Sequence, residues 1–146
     1  MNSKEDGQLA EKQAVMDVMF NYALAADTKN YDLMRSLMGD DATVHMLFDK
    51  DFLGGQKVSF DSVDNFIAFV KETTADYRAS QHLLSNPLVH CDNDSATIRV
   101  NLMGTAFFKD PEIHSTVLWG FYETSMAKVD GHWKISELVF TSIASS

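Results

Sequence analysis

The sequence predicts an α+β fold: a cone-shaped α+β barrel in which three helices from the N-terminal half pack on a highly curved, mostly antiparallel sheet. Three observations predict it. Apolar residues of the first half recur at helical spacing, and everything after Ser80 alternates with the period of a strand. The strands so defined are also long enough that they must twist and coil. Helices kept to one side of a curved sheet leave an apolar interior open at one end, which is a pocket architecture.

The elements follow in chain order. Residues 1–8 are polar and are expected to form a flexible N-terminus, with the folded domain over residues 9–143. From Leu9 the pattern is helical. Val15, Val18, Met19, Tyr22 and Ala26 form one row, and Met16, Phe20, Ala23 and Asp27 form a second beside it, which predicts a broad buried face. Asn30 is placed to cap a short second helix with Leu33, Met34, Leu37 and Met38 on its apolar side and Gly39 at its end. Ala42 to Phe48 reads as a strand, Gly54-Gly55 as a turn and Lys57 to Phe60 as the return strand. Ser62 caps a third helix running to about Tyr77. Four strands then complete the chain: Gln81 to His90, Ala96 to Phe108, His114 to Val129 and His132 to Ile143. Asp130-Gly131 is a strong two-residue hairpin signal and Asn93-Asp94 a weaker one. Gly104 and Gly120 are the expected kink sites.

Composition bounds the function. The 146 residues make one domain, and 45% apolar content supplies a sizeable core. Twelve Lys and Arg against twenty-one Asp and Glu give a net charge of −9, which repels phosphate backbones and anionic lipid. Neither a nucleic-acid nor a membrane partner is expected. A single cysteine, Cys91, leaves no intrachain disulfide and fits a reducing compartment. The polar N-terminus lacks the apolar stretch of a secretory signal, so the expected location is cytoplasmic.

Two residues carry the chemistry. Asp27 ends the first helix, where the partial negative charge disfavours an acid by a few tenths to about 1 kcal/mol. Either it serves the local turn around Lys29 and Asn30, or it is an acid at the pocket end of a buried helix. Of five histidines, His132 and His90 stand beside turns and His45 sits between Val44 and Met46, whereas His82 opens the first long strand where it passes behind the first helix. A carboxylate beside an imidazole fixes its tautomer and favours its cation. The ring nitrogen facing a dry pocket then takes a proton from substrate and returns it elsewhere. Elimination of water, isomerisation and cyclisation all run this way, with no metal and no organic cofactor.

Weaker candidates surround the pair. Asn86 can hydrogen-bond substrate, or serve the backbone at its Asn-Pro kink. His114 is a candidate second histidine from a neighbouring strand. Trp119 and Tyr122 lie on opposite faces of one strand, so at most one of them lines the interior. The methionines, Met16, Met19, Met46 and Met103 among them, read mostly as core, with some offering an adaptable lining for a flat apolar ligand. His45, Trp119 and Phe121 are candidates to cover the convex face of the sheet.

The run Tyr22-Ala23-Leu24-Ala25-Ala26-Asp27-Thr28-Lys29-Asn30-Tyr31-Asp32-Leu33, followed by Asp40-Asp41-Ala42, resembles the opening of SnoaL-like proteins of the nuclear transport factor 2-like superfamily. Gln81-His82-Leu83-Leu84-Ser85-Asn86-Pro87 and Asp130-Gly131-His132-Trp133-Lys134-Ile135 match in order and spacing, so the similarity spans about Leu9 to Ile143. Within that superfamily the chain is most similar to the scytalone dehydratase and bile acid 7α-dehydratase types. The resemblance implies that Asp27 and His82 are the catalytic pair and that Tyr122 lines the pocket; Tyr22, which matches the tyrosine of the bile acid enzymes, is expected to be catalytic with them, polarising the substrate carbonyl or the leaving hydroxyl. It also implies a homodimer or higher homo-oligomer. Three departures stand out. Ala26 replaces a tyrosine beside the aspartate, a strand tyrosine falls at about Met46, and the second histidine, near Ala106 or Phe107, is missing. The pocket is therefore expected to be more apolar. The expected activity is a cofactor-independent, dehydratase-type lyase acting on a small cyclic hydrophobic hydroxy-carbonyl compound (polyketide, terpenoid or steroid-like). Its rivals are an isomerase or cyclase using the same dyad, and a noncatalytic small-molecule-binding domain.

Overall fold

The computed structural model describes residues 2–146. Two helices come first, α1 (Ser3–Asp27) and α2 (Tyr31–Ser36), and a third, α3 (Val63–Thr73), follows two strands. The strands are β1 (Met38–Leu47), β2 (Lys57–Phe60), β3 (Tyr77–Asp92), β4 (Ser95–Phe108), β5 (Ser115–Val129) and β6 (His132–Ser145). They form one sheet in the order β2-β1-β6-β5-β4-β3. The last four are an antiparallel meander, while β1 runs parallel to β6 and antiparallel to β2. The sheet does not close. Strands β2 and β3 remain as edges, so the expected barrel is an open cone. Among the described residues no helix is long and apolar enough to cross a membrane.

Several boundaries move relative to the sequence reading. Helix α1 begins at Ser3 rather than Leu9, because Asn2 accepts from the backbone of Lys4 and Glu5 while Glu5 reaches back to the Asn2 amide, a complete capping box. Its second row is only half buried: Ala23 is inside, but Phe20 is 41% exposed. Helix α2 stops at Ser36, so Met38 and Gly39 belong to β1 and not to its end. Helix α3 stops at Thr73, and Tyr77 opens β3. There, pairing with Phe108 replaces the helical continuation expected to about Tyr77.

The turns behave as their residues require. Asp130 and Gly131 both take positive φ, 51° and 80°, as a type I′ hairpin demands. Asn86 sits at φ 55° where the β3–β4 register slips between Ser85 and Leu88, a bulge that bends the edge strand. Gly120 marks a second irregularity, between β5 and β6. Gly104, by contrast, lies in unbroken register with both neighbours, so no kink forms there.

The core lies between α1 and the inner face of the sheet. Val15, Met19 and Tyr22 meet Ile98, Val100, Tyr122, Ile135, Leu138 and Phe140, all buried. Phe66 of α3 seals the β1–β2 end, its ring tilted against Phe60 with centroids 5.6 Å apart. The outer face carries His45, bonded to Ser59 at 2.8 Å, together with Met103 and the 37% exposed Trp119. Met103 is therefore a surface residue and not core. A gap remains between the inner face of the sheet, the β1–β2 loop and α3.

Candidate functional site

The end of α1 is positioned by its own caps. The Thr28 hydroxyl donates to the Leu24 carbonyl at 2.8 Å, Lys29 takes a left-handed φ of 52°, and the Asn30 side chain accepts from Leu33 to start α2. The Lys29 ammonium donates to the Tyr77 carbonyl at 2.8 Å, tying this corner to the start of β3. The local turn is thus satisfied without Asp27. Its carboxylate instead turns to β3. Oδ1 accepts from the His82 ring at 2.5 Å and from the Ser80 hydroxyl at 3.1 Å, and Oδ2 accepts from the His82 backbone N–H at 2.9 Å. Ser80 and His82 are two residues apart on one strand and so share a face.

The electrostatics follow. Burial alone would push the Asp27 carboxyl up. The hydrogen bonds from the His82 ring and backbone, the His82 charge and the Ser80 hydroxyl outweigh it and hold the group below the usual carboxylate range. An ionised Asp27 accepts only, so His82 Nδ1 is the N–H donor and Nε2 is the ring nitrogen that Asp27 leaves free. A Cβ built on Gly104 would sit 3.8 Å from Nε2, so this nitrogen lies over the inner face of β4.

His82 borders a cavity of about 300 Å³. Met46, Phe48, Phe52, Leu53, Phe69, Leu102, Leu118 and Phe140 make its walls, and Thr73, Tyr77 and Tyr122 join His82 as its polar members. The size and the apolar lining suit a small organic ligand. Among the described residues no three His, Cys, Asp or Glu side chains gather to hold a metal ion.

The structure brings together Asp27, His82, Met46 and Tyr122, and separates the other candidates from them. Tyr22 is buried but does not line the cavity. Five residues before Asp27 it lies about 140° around the helix, and its ring packs edge-on against Tyr122 at 5.8 Å. Burial pushes its hydroxyl well above the ordinary tyrosine value. Tyr122 faces the cavity in its place. Its hydroxyl is pushed up by burial first and then by the nearby Tyr22 and Asp27, so it stays protonated and able to donate. Asn86 is exposed on the β3 bulge, spent on backbone geometry. His114 is exposed in the loop before β5 and lines no part of the cavity, so it does not replace the missing histidine.

Sequence reasoning missed Tyr77, Ser80 and the loop residues Phe48 and Phe52. Ser80 was within reach, since strand parity puts it beside His82. The loop aromatics carry no local signal.

An open, strongly curved sheet with three helices on its concave side is the cone of the nuclear transport factor 2-like superfamily. The chain belongs to the family of SnoaL-like domains, whose model matches residues 7–139. Solved structures agree in fold. A proposed scytalone dehydratase from Novosphingobium aromaticivorans superposes with a TM-score of 0.82 at 20% identity, covering 97% of this chain and 90% of that one. The Kfla4162 protein from Kribbella flavida gives 0.81 at 18% identity, covering 95% of each chain. A LinA-type hexachlorocyclohexane dehydrochlorinase from Novosphingobium barchaimii gives 0.77 at 16% identity, with 95% and 90% covered. At these identities the likeness is one of fold. No curated protein matches the sequence at a significant level.

Proposed function

We propose that the protein is a dehydratase-type lyase in which Asp27 and His82 move one proton within an apolar pocket. One observation carries this reading: His82 is bonded through Nδ1 to a buried-end carboxylate while its ring borders the cavity. Structural neighbours named for eliminations, of water in one case and of hydrogen chloride in another, support it as analogy.

In this reading Nε2 removes a proton from the carbon beside a substrate carbonyl, and the C–H electrons pass into an enolate. The Tyr122 hydroxyl donates to the enolate oxygen. The electron pair then forms the carbon–carbon double bond and expels the hydroxyl group on the next carbon, which takes the same proton from Nε2 and leaves as water. Asp27 balances the transient imidazolium and holds the ring in place. Tyr22 acts behind Tyr122, fixing its ring by edge contact, rather than touching substrate.

The test is incubation with cyclic ketones bearing a hydroxyl on the carbon beta to the carbonyl, including a hydroxydecalone, followed by mass spectrometry. Loss of one water supports the lyase, and an unchanged mass with a moved double bond indicates an isomerase. No change across the series rejects proton-transfer catalysis on this class. We further propose a homodimer, because Leu83, Met103 and Trp119 form one apolar row across the outer face. Light scattering after size exclusion tests it.

A further inference from the structure

Beside the main cavity lies an annex of about 90 Å³, room for about three waters. The two spaces share Phe52, Tyr77, His82, Leu102 and Leu118, so His82 and Tyr77 are the polar groups standing at their junction. The annex is built from two rows of the inner face, Ser80–Ala106–Thr116 and His82–Gly104–Leu118. Gly104 is what opens it toward the imidazole. Its backbone does not require glycine, since its φ is not positive and its register is unbroken, yet a methyl there would sit 3.7 Å from His82 Cδ2 and 3.8 Å from Nε2. The glycine leaves space at the one ring edge that Asp27 does not occupy.

Thr105 also borders this space, but strand parity turns its side chain to the face opposite that of Gly104 and Ala106, and the other hydroxyl groups have divided roles. Ser80 donates its single hydrogen to Asp27, and Thr116 donates its own to the Ser146 carbonyl at 2.7 Å, so both retain only accepting lone pairs. The Tyr77 hydroxyl has no hydrogen-bond partner among the described residues. Its ring is fixed edge-on against Phe108 at 5.2 Å, and burial keeps it protonated. One donor and two acceptors match a neutral alcohol. A carboxylate would face acceptors and the Asp27 charge.

We propose that the annex is a second subsite, which seats a neutral hydroxyl group of the substrate against His82 Nε2 with Tyr77 as its donor, while the main cavity takes an apolar body of one or two rings. The inference rests on the lyase reading, since the group seated here is the one that leaves as water. The main cavity of about 300 Å³ holds about ten waters, enough for a decalin skeleton but not for four fused rings.

Decalol tests the subsite apart from the chemistry, because without a carbonyl it cannot undergo this elimination. Titrated into isotope-labelled protein, it is expected to shift the backbone amides of Ser80, Gly104 and Thr116. Tyr77→Phe and Gly104→Ala are each expected to weaken it about tenfold, and decalin carboxylate is expected to bind more weakly than decalol. The proposal is overturned by the absence of annex shifts, by unchanged affinity in both variants, or by equal binding of the carboxylate. Should Gly104→Ala not fold, Tyr77→Phe alone decides. Decalol binding without dehydration of the hydroxydecalone keeps the subsite and rejects the lyase. Equal dehydration by the wild-type protein and Gly104→Ala keeps the lyase and rejects the subsite.

Discussion

The Asp27 carboxylate grips His82 twice, through the ring at Nδ1 and through the backbone N–H of the same residue, with one oxygen on each. Such a grip fixes both where the strand passes and how its imidazole is turned. It also explains an acid at a helix C-terminus: about 1 kcal/mol of unfavourable dipole interaction is set against three hydrogen bonds, each stronger for involving a charge. Removing either partner is expected to cut turnover of the hydroxydecalone by about 10²- to 10⁴-fold. Steady-state kinetics on Asp27→Asn and His82→Ala check this, with circular dichroism to verify the fold. Near-wild-type kcat in either variant would remove the pair from the mechanism.

Stability should carry the same signature. The folded protein holds the Asp27 carboxyl below its ordinary value, so its contribution is complete above that value, 3.8, and is lost as pH falls through the lowered one. Urea melts are expected to show wild type more stable than Asp27→Asn above that range, with the gap narrowing in acid, below about pH 4. Asp49 and Glu11 are also held low, but both are present in either protein and cancel in the difference.

The loop between β1 and β2 closes over the cavity, carrying Phe52 and Leu53 into its wall. Asp49 latches it to β6, accepting from Ser142 at 2.5 Å and from Ser145 at 3.0 Å. Those bonds, Ser142 first, hold the carboxyl below its usual range against the opposing effect of burial. Asp49→Ala is expected to speed amide hydrogen exchange in residues 50–56 and to raise KM more than it lowers kcat. In the wild type the same exchange should quicken only as pH falls through the lowered value. Unchanged exchange in the variant would show that the loop is held by its aromatics alone.

Two glycines on the inner sheet should respond oppositely. A Cβ on Gly120 would lie 2.1 Å from the Thr141 carbonyl, a backbone contact that cannot turn aside. Gly120→Ala is expected to cost about 3 kcal/mol or more by chemical denaturation. A Cβ on Gly104 meets only ordinary contacts, so Gly104→Ala should melt close to the wild type. Equal melting of the two variants would contradict the pairing of Gly120 with Ser142 between β5 and β6.

What the sequence determined by itself is what nearest neighbours along the chain decide. Periodicity gave the helices and the meander, Asp130-Gly131 gave the last hairpin, and strand parity put Tyr122 on the face opposite Trp119. Asp27 and His82 stood out because one violated the helix dipole and the other was expected at the start of a long strand, which the structure begins five residues earlier, at Tyr77. Tertiary structure alone decided the rest. Pairing of β1 parallel to β6 joins segments some ninety residues apart, as Val44 opposite Leu138 illustrates, and no local pattern specifies it. Helical spacing turns Tyr22 inward and strand parity does the same for Tyr122. Only packing decides that Tyr122 reaches the hollow and Tyr22 stands behind it. Tyr77 was expected at the end of the third helix and is drawn into β3 by its partner Phe108. Local sterics fix which way a side chain points, whereas the place where inward faces fail to meet is set by how far the whole sheet curves.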